Sequence, residues 1–180
     1  MNKELPPEEE IIEGCKKENR YHQELLYRRF APQMYGVCLS YAQNRDQAKD
    51  ILHDAFLKVF RNIGSYNHKG SFEGWIRRIV TNTAIDHIRK ERKTFELISE
   101  EVPDNQEEEQ DEYNRNIPMK DLLAHVAHLP EGAKMVFNLY AIEGMTHLEI
   151  ASKLNITVGT SKSQFNRARK MLQERLKGLK

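Results

Sequence analysis

The sequence predicts an all-α protein of two small helical domains joined by a flexible acidic linker. Three observations predict it. Apolar residues recur at i, i+3, i+4 and i+7 in two separate blocks, the spacing of amphipathic helices. The same two blocks are basic: residues 21–93 carry thirteen Lys and Arg against seven Asp and Glu, and residues 117–180 carry ten against five. Between them, residues 94–114 hold nine acids and no Lys or Arg. A run of like charges with few core-forming residues cannot repay its ordering entropy, so it is expected to be mobile. The boundaries that follow are an acidic N-terminal extension (1–20), a first domain (21–93), a linker (94–116) and a second domain (117–180).

The chain of 180 residues is 39% hydrophobic and 31% charged, with a mean hydropathy of -0.74 and a net charge of only +1. Its apolar runs are too short to insert into a membrane. The acidic start, with Glu4, Glu8, Glu9 and Glu10, lacks the apolar core of a signal peptide, so a cytoplasmic protein is expected. Cys15 and Cys38 form neither a metal spacing nor a disulfide framework. The pairs His53 with Asp54, and His125 with His128, lack a third ligand at helical spacing, so no metal and no other cofactor is expected.

In the first domain, Asp46 is a candidate cap for a helix whose apolar positions are Ala48, Ile51, Leu52, Ala55, Phe56, Val59, Phe60 and Ile63, with Gly64 at its end. Its other face carries Asp50, His53, Asp54, Lys58 and Arg61, with Leu57 stranded among them. Such an exposed leucine is usually of no consequence, but it also fits a docking surface. Ser71 then caps a second helix, with Phe72, Trp75, Ile76, Ile79, Val80, Ala84 and Ile88 as its inner stripe. Interleaved are Arg77, Arg78, Arg89, Lys90, Arg92 and Lys93, around a polar stretch of Thr81, Asn82, Thr83 and Asp86. Rings and amides among arginines suit single-stranded nucleic acid, because bases stack on the rings while cations hold phosphates. For Trp75 the ordinary reading, a core aromatic, stands ahead.

In the second domain, residues 131–143 form an amphipathic helix with Ala133, Val136, Phe137 and Tyr140 inward, closed by Gly144. Thr146 and Glu149 have the spacing of a capping box. The short helix they open buries Ile150, Ala151 and Leu154. Asn155 and Ile156 make the turn, and Thr157 caps a last helix with Val158, Ser161, Phe165, Ala168, Leu172 and Leu176 inward. Its outward residues are Thr160, Lys162, Ser163, Gln164, Asn166, Arg167 and Lys170. These donors and acceptors sit in the half of a helix that enters the major groove. A solvated bundle face would more often show Glu and Lys pairs, yet no acid occurs between Glu149 and Glu174. The pattern is a helix-turn-helix that reads DNA.

Together the two blocks resemble the sigma factors of bacterial RNA polymerase, in particular the compact extracytoplasmic-function group. Four motifs carry the likeness: the helix from Asp46 to Phe60; Ser71 to Ile79; Asn82-x-Ala84-x-Asp86 with the basic run after it; and Gly144 to Ala151 with Val158 to Ser163 and Arg167 to Arg169. The resemblance implies a region 2 bundle and a region 4 helix-turn-helix, with core RNA polymerase and promoter DNA as partners and an anti-sigma factor as a further one. It implies that Asp50, His53, Asp54 and Leu57 dock on core polymerase. Asn82 would capture a base of the melted −10 element, Arg77 and Arg78 would hold the strand, and Asp86, Arg89 and Lys90 would lie beside the upstream duplex. Thr160, Lys162, Ser163, Gln164, Asn166 and Arg167 would face the −35 element. His53 stands where the group more usually has Gln on the docking face. Gln164 stands where it more usually has Arg, so the preferred −35 sequence is expected to differ. The acidic linker would thread a positively charged polymerase channel.

Three other functions compete. A stand-alone helix-turn-helix regulator has no use for the helix that starts at Ser71. A nuclease built on Asp50, His53 and Asp54 would need a second cluster to hold its metal. A pure interaction protein would bind core polymerase and leave initiation unchanged.

Overall fold

The computed structural model describes residues 6–91 and 125–177, and all regular structure among them is helical. The chain divides into two compact units, 1–91 and 92–180. The expected linker, 94–116, lies outside the described residues.

The first unit is a bundle of three long helices with a short one laid against it. Helix α1 is Glu8–Lys16, α2 is Arg20–Tyr41, α3 is Arg45–Asn62 and α4 is Phe72–Glu91, with a 3-10 turn at Ile63–Ser65. Leu26, Met34, Ile51, Ala55, Val59, Ile76, Val80 and Ala84 meet in the core with almost no exposure. The acidic extension takes part in this core: α1 buries Ile11, Ile12 and Cys15. It approaches α2 so closely that a Cβ on Gly14 would overlap the His22 ring, and only glycine fits there. Arg29 and Glu8, 3.4 Å apart, tie the two helices at the surface. Both cysteines are buried, and desolvation pushes the Cys15 thiol up to about 11 and Cys38 up to about 12. Neither is a thiolate near neutral pH, so they pack as small apolar side chains.

The cap of α3 is Asn44, not Asp46. The Asn44 Oδ1 accepts from the Gln47 N–H at 2.8 Å, while Asp46, already inside the helix, pairs with Lys49 at 2.9 Å. The helix starts earlier than the apolar pattern required, because an amide oxygen two positions upstream was available to satisfy an orphan N–H. Ser71 caps α4 as expected, its Oγ accepting from Gly74 N–H at 3.1 Å.

The described part of the second unit comprises α5, Glu131–Phe137, α6, His147–Leu154, and α7, Val158–Lys177. Val126, Leu129, Ala133, Phe137, Ala168 and Leu172 form its core, with Phe165, Met171 and Leu176 against it. After Phe137 the helix widens into a π turn over Asn138–Ile142, with Glu143 N–H donating to Asn138 O at 3.0 Å. Gly144 (φ +70°) reverses the chain in the left-handed region that glycine enters without strain. The Thr146–Glu149 capping box forms reciprocally: Glu149 N–H donates to Thr146 Oγ1, and Thr146 N–H donates to Glu149 Oε2. The Thr146 N–H and hydroxyl, both donating to Glu149 Oε2, hold that carboxyl below its ordinary pKa. Asn155, at φ 56° and ψ 48°, makes the left-handed turn between α6 and α7, and Thr157 Oγ1 accepts from Thr160 N–H at 3.0 Å.

Candidate nucleic-acid and polymerase interfaces

The outward face of α3 is built as its spacing required. Ile51, Leu52, Ala55, Phe56 and Val59 are buried, and Asp50, His53 and Asp54 are exposed. Leu57 is 40% exposed, on the same side as these polar residues, where an apolar side chain suits a partner's surface. The face is also tied to its neighbour. Asp54 Oδ2 lies 2.7 Å from His87 Nε2, and Lys58 Nζ donates to Asp86 Oδ2 at 3.2 Å. Asp54 and Asp86, for which the resemblance implies different partners, thus each bond across one α3–α4 seam. Lys58 and His87 complete the seam, and sequence reasoning gave neither a role. Both sit one turn or one residue from a named site residue, but only the packing of the two helices brings the pairs together.

On α4 the aromatic end is a cluster rather than an open stacking platform. Phe72 is buried and lies nearly parallel to Trp75 (5.6 Å between centroids, 13° between planes), with Tyr66 leaning on both and Phe30 behind Phe72. Trp75 is half-buried, an edge of the core with one side at the surface. Arg78 and Arg89 are exposed and Arg77 is half-buried. The polar stretch divides: Thr81 and Thr83 are buried, Thr83 Oγ1 donating to Ile79 O at 2.8 Å, and Asn82 between them reaches the surface half-buried. Lys90 lies in the last turn of α4, its side chain outside what is described, and Arg92 and Lys93 lie outside the described residues altogether.

On α7, Lys162, Asn166, Arg167 and Lys170 are exposed, and Thr160 and Ser163 are partly so. Gln164 is not on this face. It is 2% exposed and shares the inward stripe of Ser161, Ala168 and Leu172, three residues after the first and four before the second. A side chain on that stripe points at the core, so Gln164 is not among the residues that α7 turns outward. Val158, expected inward, is 37% exposed at the open first turn. Tyr140, also expected inward, is partly exposed because the π turn carries it to the rim, where it stacks on His147. Arg175 donates to the carbonyls of His125 and His128, both at 3.2 Å, closing α7 onto the segment before α5.

Among the described residues no group of three or more His, Cys, Asp or Glu could hold a metal ion, and no helix is long and apolar enough to cross a membrane.

Two family models match the chain in this order: Sigma-70 region 2 over residues 26–94 and Sigma-70, region 4 over residues 119–172. The ECF RNA polymerase sigma factor SigE of Mycolicibacterium smegmatis is 31% identical over 155 residues, which cover 84% of this chain and 60% of that protein's length. The ECF RNA polymerase sigma factor SigW of Bacillus subtilis is 30% identical over 166 residues, covering 83% of this chain and 86% of SigW. In fold, the chain is similar to the sigma factor RpoE of Bartonella quintana, solved in complex with the anti-sigma factor NepR: TM-score 0.50, 23% identity, 87% of this chain and 96% of that one. Two sigma regions in order and a 30% identical relative matched over most of its length make the chain a member of the extracytoplasmic-function sigma factors, which direct bacterial RNA polymerase to promoters.

Proposed function

We propose that residues 21–93 act as region 2, docking on core RNA polymerase and opening the −10 element, and residues 117–180 as region 4, reading the −35 element. Asp50, His53, Asp54 and Leu57 present the docking face. Asn82 takes a base of the melted strand, with Arg77 and Arg78 on the strand backbone and Asp86, Arg89 and Lys90 beside the upstream duplex. Thr160, Lys162, Ser163, Asn166 and Arg167 address the −35 duplex. The protein acts in the cytoplasm, performs no catalysis of its own and is held in check by an anti-sigma factor. That last partner is suggested by the relative solved with one.

The observation that carries this reading is the outward face of α7, which offers Lys162, Asn166, Arg167 and Lys170 and has no carboxylate before Glu174. Such a face attracts a polyanion along its whole length and carries forked donors for base edges. Arg167 tests it. If its guanidinium grips a base edge, Arg167→Ala costs roughly 1–3 kcal/mol and relaxes preference at one base pair. If it grips a phosphate, the same change weakens all sequences alike and lowers the salt slope by about one. The measurement is binding of the holoenzyme to single-base −35 variants at two salt concentrations. The base contact is expected, because Lys162 and Lys170 already supply backbone charge. Wild-type affinity of Arg167→Ala for every variant would remove Arg167 from the reading face.

A further inference from the structure

His147 has no part in the functions above, yet it is packed in an aromatic cluster and hydrogen-bonded within the second unit. It is the first residue of α6, and its ring stacks on Tyr140 of the π turn (4.4 Å between centroids, 17° between planes). Phe165 of α7 meets the imidazole edge-on at 5.8 Å from the same side and itself touches Tyr140, with 4.4 Å between centroids. The Nδ1 atom lies 2.9 Å from the Oγ of Ser161, which is fully buried. One imidazole thereby joins α6, α7 and the π turn that follows α5. The residue after Ser161 is Lys162, at the centre of the outward face.

We propose that His147 is the positioning residue of this helix-turn-helix: its neutral imidazole, clustered with Tyr140 and Phe165 and joined to Ser161, sets where α7 sits against α6, and −35 binding weakens when that ring is protonated. The proposal rests on α7 being the DNA-reading helix.

The surroundings of the clamp favour a neutral ring. Neutral Nδ1 can accept from the Ser161 hydroxyl or, as the other tautomer, donate to it, whereas a protonated ring can only donate and brings a charge into the packed interface. Two features oppose the charge: burial of the ring first, then the Lys162 ammonium from α7. The face of Tyr140 would favour an imidazolium, but the net effect still lowers the His147 pKa below its ordinary 6.5. No carboxylate offsets this from its own helix, since Glu149 is engaged by the Thr146 N–H and hydroxyl, each at 2.8 Å. A loosened or unfolded chain therefore binds the proton more readily than the clamped one. The clamp is at full strength above about pH 6.5 and is lost as pH falls through the lower, clamped value.

The test needs two readouts on the full-length chain. In the free protein, nuclear magnetic resonance should show His147 titrating below its ordinary value, with the backbone amides of Ser161, Lys162 and Ser163 shifting at the same midpoint. With core polymerase, the probe is a duplex promoter fragment on which the wild-type protein initiates transcription. Binding should fall several-fold between about pH 7.5 and about pH 5.5 in the wild type, beyond the fall shown by His147→Gln. The glutamine keeps a hydrogen-bonding group for Ser161 but cannot titrate, and the other histidines are common to both proteins. At the higher pH, His147→Ala should bind about fivefold more weakly and His147→Gln should recover part of that loss. Identical pH profiles for wild type and His147→Gln would overturn the proposal, and this comparison stands even if His147→Ala does not fold. Amides in α7 that ignore the His147 titration would overturn the clamp itself. Amides that follow it without any change in DNA binding would place the error in the reading of α7.

Discussion

Asn82 occupies the gap between two threonines that α4 turns inward, and this placement sharpens what its amide can do. With Thr81 and Thr83 buried, it is the member of the run 81–83 that a displaced base can reach. Asn82→Ala should therefore impair promoter opening by roughly tenfold, the size of one or two hydrogen bonds, and a premelted bubble template should restore most of the activity. Equal loss on duplex and bubble templates would exclude Asn82 from strand capture. At this scale the sequence was legible at Leu57, Arg167 and Lys162, which are exposed where periodicity put them. It failed at Gln164, because the polar character of the side chain outweighed its place on the Ser161–Ala168 stripe. It also missed His87, Lys58 and His147, whose partners lie 33, 28 and 14 residues away. Spacing along one helix carries no information about such pairs.

The elements were easier to read than their ends. The capping box of α6 and the caps Ser71 and Thr157 were legible because each is a local bond between residues three apart. The cap of α3 was displaced to Asn44, and the π turn at Asn138–Ile142 has no signature in apolar spacing. Helix α1 reads as an extension in the sequence because a short segment with three leading acids looks solvated. Only its tertiary burial of Ile11 and Ile12 makes it part of the fold. The seam between α3 and α4 also shapes how the docking face is tested. Asp54 is bonded to His87, so changing it disturbs α4 as well; Asp50, exposed one turn earlier, is the cleaner partner for Leu57. The double change Asp50→Lys with Leu57→Ala should weaken binding to core polymerase at least tenfold, since burying a leucine is worth about 1.5–3 kcal/mol and the charge reversal adds to it. Circular dichroism should stay helical. Unchanged core affinity would show that core polymerase does not dock on this face.

For the whole molecule, two compact units match two sigma regions in the same order. The division was legible from charge alone, since two basic, helically periodic blocks flank an acidic run. The central claim is that these units together send core polymerase to promoters, where a stand-alone regulator would only bind DNA. Run-off transcription on genomic promoter fragments, with core polymerase and the full-length chain as the only factor, tests it most directly. The account predicts discrete transcripts that require the chain, start downstream of a shared pair of −10 and −35 elements, and disappear when Asp50→Lys and Leu57→Ala are introduced together. Specific binding to DNA with no transcript from core polymerase would contradict it.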